Sequence, residues 1–129
     1  MTALRAMPVL TTADPEALAA FFSDALGFHL AGLRRDETGA ASFGIVFWGA
    51  VTVALQRGDA APPTEGWSLY VYVSDLRDFA MAAGAGGAAL LRGPEDTSYG
   101  CREVELATPE GHRLVFAQDL DPGPAGPGL

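Results

Sequence analysis

SYGCREVELATPEGHRLVFAQ, residues 98–118, is the stretch whose reading decides the fold. Tyr99-Gly100 makes a corner, and Cys101 to Leu106 alternates in character behind it. Thr108-Pro109-Glu110-Gly111 has turn chemistry, and Leu114 to Ala117 is a second apolar run. Two strand-like runs joined by a Pro/Gly turn predict a β-hairpin. Upstream, Trp67 to Val73 reads as a strand, and Ser74-Asp75 caps a helix with Leu76, Phe79, Ala80 and Ala83 on its apolar face. Gly84 to Gly87 ends that helix, and Ala88 to Arg92 is a short strand before the hairpin. The second half of the chain is therefore a βαβββ unit.

The first half repeats this order. Leu4 to Leu10 reads as a strand, with Pro8 marking an edge or irregularity. Asp14-Pro15-Glu16 is a helix start, with Asp as N-cap, Pro at the first helical position and Glu in the first turn. Leu18, Phe21, Phe22 and Ala25 follow at helical spacing, and Gly27 closes the helix. Phe28 to Arg34, Ala41 to Trp48 and Val51 to Gln56 read as three strands. The capping residues Asp14 and Asp75 stand sixty-one positions apart; Gly49 and Gly111, like Gln56 and Gln118, stand sixty-two apart. GAVTVALQ and GHRLVFAQ thus occupy matching places in an internal repeat. The expected fold is α+β: one domain over 1–118, built of βαβββ modules at 4–56 and 67–118. Arg57 to Gly66, with Pro62 and Pro63, is a connector, and the Pro/Gly-rich tail 119–129 is expected to be disordered.

Composition narrows the function classes. At 129 residues, 49% apolar and 19% charged, the chain can bury a core. No apolar run is long enough to span a membrane, and the N-terminus lacks the pattern of a secretory signal. The single cysteine, Cys101, makes neither an internal disulfide nor a Cys-rich metal site, which fits a cytoplasmic protein. A net charge of −8, with eight arginines and no lysine, argues against a nucleic-acid partner and suits a cationic ligand. Each helix covers only one face of its sheet, so the other face is shielded by pairing or left as an apolar surface that binds something.

The final hairpin resembles that of the glyoxalase/bleomycin-resistance/dioxygenase (vicinal oxygen chelate) family, which ends with Tyr-Gly, Arg-Glu, a short strand, Asp-Pro-x-Gly and a last strand. Here Thr108 stands in place of that Asp. The resemblance runs from Leu4 to Gln118. It implies modules whose curved mixed sheets enclose a concave cavity, paired within one chain or across a dimer, and a homodimer is expected. Enzymes of the family place metal ligands on the first strand, seven residues before the helix cap, and on the last strand, four residues after the Gly. Those positions carry Met7, Ser68, Val53 and Val115 here. None is a good donor for a divalent ion, so no metal and no cofactor are expected.

Other chemistry-bearing residues offer less. His29 and His112 lack a partner ligand at suitable spacing, and Cys101 has no evident base, so a passive thiol is expected. Glu103 and Glu105 alternate along one strand and could act as acid/base groups or counter-ions, or form a solvated face. The glycine clusters lack the context of a phosphate loop. What remains is aromatic. Alternation puts Ser68, Tyr70 and Tyr72 on one face, opposite Leu69, Val71 and Val73. The aliphatic face should pack on the helices, leaving the tyrosines as a wall.

On these residues the resemblance narrows to the metal-free bleomycin-binding resistance proteins, which carry Trp-Val-Trp-Val where this chain has Tyr70 to Val73. Pro8 to Thr11, Leu26 to Phe28 and Arg102-Glu103 are also shared. Phe43 matches a groove-lining Phe, and Tyr99-Gly100 stands where they have a stacking Trp-Gly. The expected ligand site is Phe43, Phe47, Ser68, Tyr70, Tyr72 and Tyr99, with no catalytic residue. The expected function is sequestration of a planar, cationic, antibiotic-like small molecule by stacking. The alternative is a metal-independent enzyme or chaperone acting on a related small molecule in secondary metabolism. Core or dimer-contact roles for the same aromatics are the bland reading.

Overall fold

The computed structural model describes residues 1–59, 65–124 and 126–128. The paired prolines of the connector, and residues 125 and 129 of the tail, lie outside the described residues. The chain divides into two compact units, Met1–Pro62 and Pro63–Leu129. The first holds β1 (Val9–Thr12), α1 (Pro15–Leu26), β2 (His29–Arg35), β3 (Ala41–Trp48) and β4 (Val51–Arg57). The second holds β5 (Leu69–Tyr72), α2 (Leu76–Ala85), β6 (Ala89–Asp96), β7 (Cys101–Ala107) and β8 (Arg113–Asp119). Each is a βαβββ module with a four-stranded mixed sheet, ordered β1-β4-β3-β2 and β5-β8-β7-β6. The first strand of each pairs parallel to the last, and the other pairs are antiparallel.

The helix ends obey the sequence closely. Asp14 is extended and its carboxylate accepts from the Ala17 N–H at 3.0 Å, while Gly27, at φ 77°, lets the chain turn back. Asp75 does the same for α2 through the Asp78 N–H at 3.1 Å. Phe22 and Leu26 of α1, and Leu76 and Ala83 of α2, are fully buried against their own sheets. Ring contacts run from Phe22 to Phe28 to Trp48 in the first unit, and Phe79 stacks on Phe116 in the second. The helix-side face of sheet one is therefore Leu10, Val46, Val53 and Leu55, and that of sheet two is Val71, Val104, Leu106, Leu114 and Phe116.

Three sequence expectations shift. β1 starts at Val9, not Leu4: the ladder opens where the Ala54 N–H donates to the Pro8 carbonyl, and Met1 to Pro8 are exposed. β6 runs on to Asp96, past the expected Arg92, because a register shift between Arg92 and Glu95 lets pairing resume. The third concerns the repeat. Leu10 opposes Leu55 and Val71 opposes Phe116, each first member standing four residues before its helix cap, so Leu55 and Phe116 are equivalent. The offset between β4 and β8 is sixty-one, one less than their glycines suggest. Gly49 sits in a two-residue turn between Trp48 and Val51, whereas residues 108–112 make a five-residue turn between Ala107 and Arg113. In that longer turn Thr108 Oγ1 accepts from the His112 N–H at 3.0 Å and meets the buried His112 Nδ1 at 2.6 Å.

Some described residues of the tail make backbone hydrogen bonds. The Leu120 N–H donates to the Gly100 carbonyl, Gly123 and Gly126 pair, and the Gly128 N–H donates to Asp119 Oδ2 at 2.7 Å.

Candidate functional site

Strand alternation builds the site on the face of sheet two turned away from α2. Leu69 and Val71 are buried on the helix side, which puts Tyr70 and Tyr72 on the other. Across the strands, Tyr70 stands beside Val115, then Glu105, then Arg92; Tyr72 stands beside Ala117, then Glu103, then Glu95. The small Val115 and Ala117 form a floor between the tyrosines and the glutamates. Trp67, Tyr70, Tyr72 and Tyr99 surround a cavity of about 370 Å3 that Cys101, Pro127 and Gly128 complete. The Trp67 and Tyr70 ring centroids lie 5.5 Å apart, and those of Tyr70 and Tyr72 5.2 Å apart. A second cavity of about 340 Å3 adjoins it along Tyr72, Ser74, Gln118, Asp119 and Pro127.

Beneath the rings lies a buried carboxylate. Glu103, with no solvent exposure, accepts at Oε2 from the Tyr70 hydroxyl at 2.6 Å and from the Tyr99 hydroxyl. Its Oε1 accepts from Arg92 at 3.1 Å. Three donors are what makes a buried charge tolerable. Glu105 accepts from the Trp67 indole at 2.7 Å, with Arg113 at 3.5 Å and Arg92 at 3.8 Å. Arg92 reaches both because β6 bulges at Gly93, whose φ is 83°; a Cβ there would lie 2.2 Å from the Glu103 carbonyl oxygen. Only glycine fits so close to the neighbouring strand.

The protonation states follow from these contacts. Burial pushes the Glu103 carboxyl up, but the hydrogen bonds from Tyr70, Tyr99 and Arg92 outweigh it and hold the group below the ordinary range. Burial and then the bond to Glu103 raise Tyr70 above its usual phenol value. The bond to Glu103 pushes Tyr99 up to about 12, and burial raises Tyr72. Glu103 stays ionised and the phenols stay protonated, so the cluster is a poor proton shuttle and a rigid holder of ring faces.

Of the residues expected from sequence, Tyr70, Tyr72 and Tyr99 come together around this cavity. Ser68 stands just before β5, half-buried, its N–H on the Arg113 carbonyl, and does not line it. Phe43 and Phe47 belong to the first unit, on the face of its sheet away from α1. Phe43 is half-buried between Arg34 and Gln56. Phe47 lines a 590 Å3 hollow with Arg5, Met7, Ala31, Ile45 and Thr52. Of the family's metal positions, Val53 points to the helix side; its true counterpart to Val115 is Ala54, which also carries no donor. Among the described residues no group of three or more His, Cys, Asp or Glu is placed to hold a metal ion. Sequence reading did not assign Glu103 and Glu105 a side. Their alternation with the aliphatic Val104 and Leu106 carried that signal. Nothing local to Arg92 pointed to its role.

A sequence model of the glyoxalase-like domain matches residues 7–116. The chain belongs to the glyoxalase-like domain family. Among solved structures, this glyoxalase-like domain is similar to TioX from Micromonospora sp. ML1, with a TM-score of 0.75 at 24% identity over 92% of this chain and 100% of that one. A glyoxalase-related enzyme from Clostridium phytofermentans gives 0.76 at 19% identity, over 92% and 97%. A glyoxalase/bleomycin resistance protein/dioxygenase from Nocardioides gives 0.68 at 22%, over 99% and 91%. At these identities the likeness carries the two-module fold. No curated protein matches the chain. No helix among the described residues is long and apolar enough to cross a membrane.

Proposed function

We propose that this glyoxalase-like domain sequesters a planar, cationic, antibiotic-like small molecule, without metal and without turnover, in the manner of the bleomycin-binding members of its superfamily. The observation that carries the reading is the aromatic cavity of Trp67, Tyr70, Tyr72 and Tyr99 above the buried, ionised Glu103. Flat rings with exposed faces stack on a planar ligand, and the acidic surroundings favour a cation. A catalytic reading needs a group that exchanges protons near neutrality. Glu103 is held charged, which favours binding over chemistry. Working as a homodimer is part of the proposal, since each sheet keeps one face uncovered by its own helix; light scattering that gives a dilution-insensitive monomer would remove that part.

The test is a thermal-shift titration with an acridinium or phenanthridinium dye, where ligand at 100 times its dissociation constant adds about 2.7 kcal/mol of stability. Tyr70→Ala or Tyr72→Ala should weaken binding by about 1 kcal/mol for each lost stacking partner. Val71→Ala, on the buried side, should instead destabilise the fold by about 1 kcal/mol and leave affinity nearly unchanged. Affinity that falls for Val71→Ala and holds for both tyrosine variants would overturn the proposal.

A further inference from the structure

The cavity of the second unit says more about its cation than that it is positive. We infer that it takes a fully alkylated nitrogen, a quaternary ammonium or N-methylated heterocyclic cation, in preference to one that carries N–H groups; this rests on the reading that the site binds cations.

An N–H cation leaves its water hydrogen bonds at the mouth of a cavity and needs acceptors inside. The carboxylates around this one are already engaged. Glu103 has three donors and no exposure, so no ligand reaches it. Glu105 is held by the Trp67 indole and flanked by two guanidiniums. Asp119 accepts from the backbone N–H groups of Asp121 and Gly128. The Tyr70 and Tyr99 hydroxyls spend their protons inward on Glu103, leaving phenol oxygens as weak acceptors. A trimethylated nitrogen gives up no hydrogen bond on entry, and it meets the ring faces that make up most of the cavity lining.

The same network improves those faces. A phenol that donates to a carboxylate gains electron density in its ring, and this makes the π-face more negative where a cation sits. Charge below the wall works in the same direction. Glu95, Glu103 and Glu105 are three carboxylates sharing the two guanidiniums of Arg92 and Arg113. The attraction is long-range and needs no direct ion pair.

The experiment titrates the full chain with benzyltrimethylammonium, benzylammonium and the neutral isostere neopentylbenzene, followed by calorimetry and by quenching of tryptophan fluorescence, in parallel with the acridinium dye. Benzyltrimethylammonium should bind about tenfold more tightly than either analogue, a ratio that corresponds to about 1.4 kcal/mol. Tyr72→Leu should abolish that preference; Tyr72 is half-exposed and makes no hydrogen bond to either glutamate, its contact with Tyr70 being ring to ring, so this variant should fold as the parent does. Tyr99→Leu, at another exposed ring, is the second variant, expected to lower the ratio in the same direction. Benzylammonium binding as tightly as the trimethylated probe would overturn the inference, and dye binding in that experiment would leave the broader proposal standing. Dye binding with no binding of either small cation overturns it as well. Binding of benzyltrimethylammonium without the dye supports the inference and removes the planar-ligand reading instead.

Discussion

The two modules of this chain share one order of elements and the same kind of apolar helix-side core, yet their open faces differ at most equivalent positions. Pairing register makes Phe43 the counterpart of Glu103, Ile45 of Glu105, Val9 of Tyr70 and Ala54 of Val115. On the covered side the counterparts are Leu10 and Val71, Leu55 and Phe116, Val46 and Leu106, all apolar and buried. A face that must fill the space under a helix has few solutions, because every atom there is judged by close packing. A face with no helix on it is released from that demand. One module has used the freedom for an apolar hollow with a single arginine at its edge, the other for a ring of aromatics over ionised glutamates. The divergence between faces, not between folds, is where a ligand is chosen.

The sharpest break of that comparison is substitution at one equivalent position in each module. Glu103→Ala strips the acceptor from Tyr70, Tyr99 and Arg92 and should cost about 3 kcal/mol. Phe43→Ala removes a half-buried ring with no polar partner and should cost about 1 kcal/mol. Urea unfolding of both variants measures the difference; equal costs would mean that the network adds nothing that ordinary packing does not.

Titration sharpens the contrast from both ends of the pH scale. All three tyrosines of the chain lie in the second module, so absorbance near 295 nm reports that module alone. Tyr99 should ionise at about 12. A raised phenol value means its contribution is fully present below the usual value of about 10 and is lost as pH climbs from there through about 12. Glu103→Gln should bring that transition back toward 10. At acid pH the sign reverses. Glu103 sits below the ordinary carboxylate range, so its stabilisation is present above the unfolded value of about 4.3 and is lost as pH falls beneath it. The first module has its own acid-sensitive group, Asp36, which the Thr38 hydroxyl and Arg57 hold at about 2. Melting temperature should fall between neutrality and pH 2, and Asp36→Asn should lessen the loss at the acid end.

The smallest expected effect is none. Nickel, zinc or ferrous iron at stoichiometric concentration should leave the melting temperature of the whole chain unchanged, since Met7, Ser68, Ala54 and Val115 offer no set of donors in either module. An upward shift that a chelator reverses would count against this.

Much of this was legible in the sequence, for reasons that are local. An Asp followed by helical spacing and a Gly states both ends of a helix, and α1 and α2 run between their expected caps. Alternation from Leu69 to Tyr72 states which side chains share a face, and it placed Tyr70 and Tyr72 together. The misses are non-local. Glu103 finds its partners at Tyr70, Tyr99 and Arg92, and no spacing rule links a strand residue to a hydroxyl thirty-three positions earlier. Arg92 arrives through a bulge whose need for Gly93 is visible only against the opposing Glu103 carbonyl. The starting point of β1 depended on where pairing with β4 begins, and Pro8 in a run of apolar residues did not announce it.

The unequal hairpin turns carry a practical consequence for anyone who would transplant the aromatic cavity into the first module. Lining up the turn glycines, Gly49 with Gly111, would index every graft in the last strand one step out, and each introduced side chain would be driven into the space under α1. Indexing on the helix caps instead sends Tyr70 to Val9, Tyr72 to Thr11, Glu103 to Phe43 and Glu105 to Ile45, all on the open side. Counted between equivalent positions the turn is one residue longer in the second module, three residues between Thr108 and His112 against two between Trp48 and Val51, so a graft aligned on the turn glycines cannot exchange the halves.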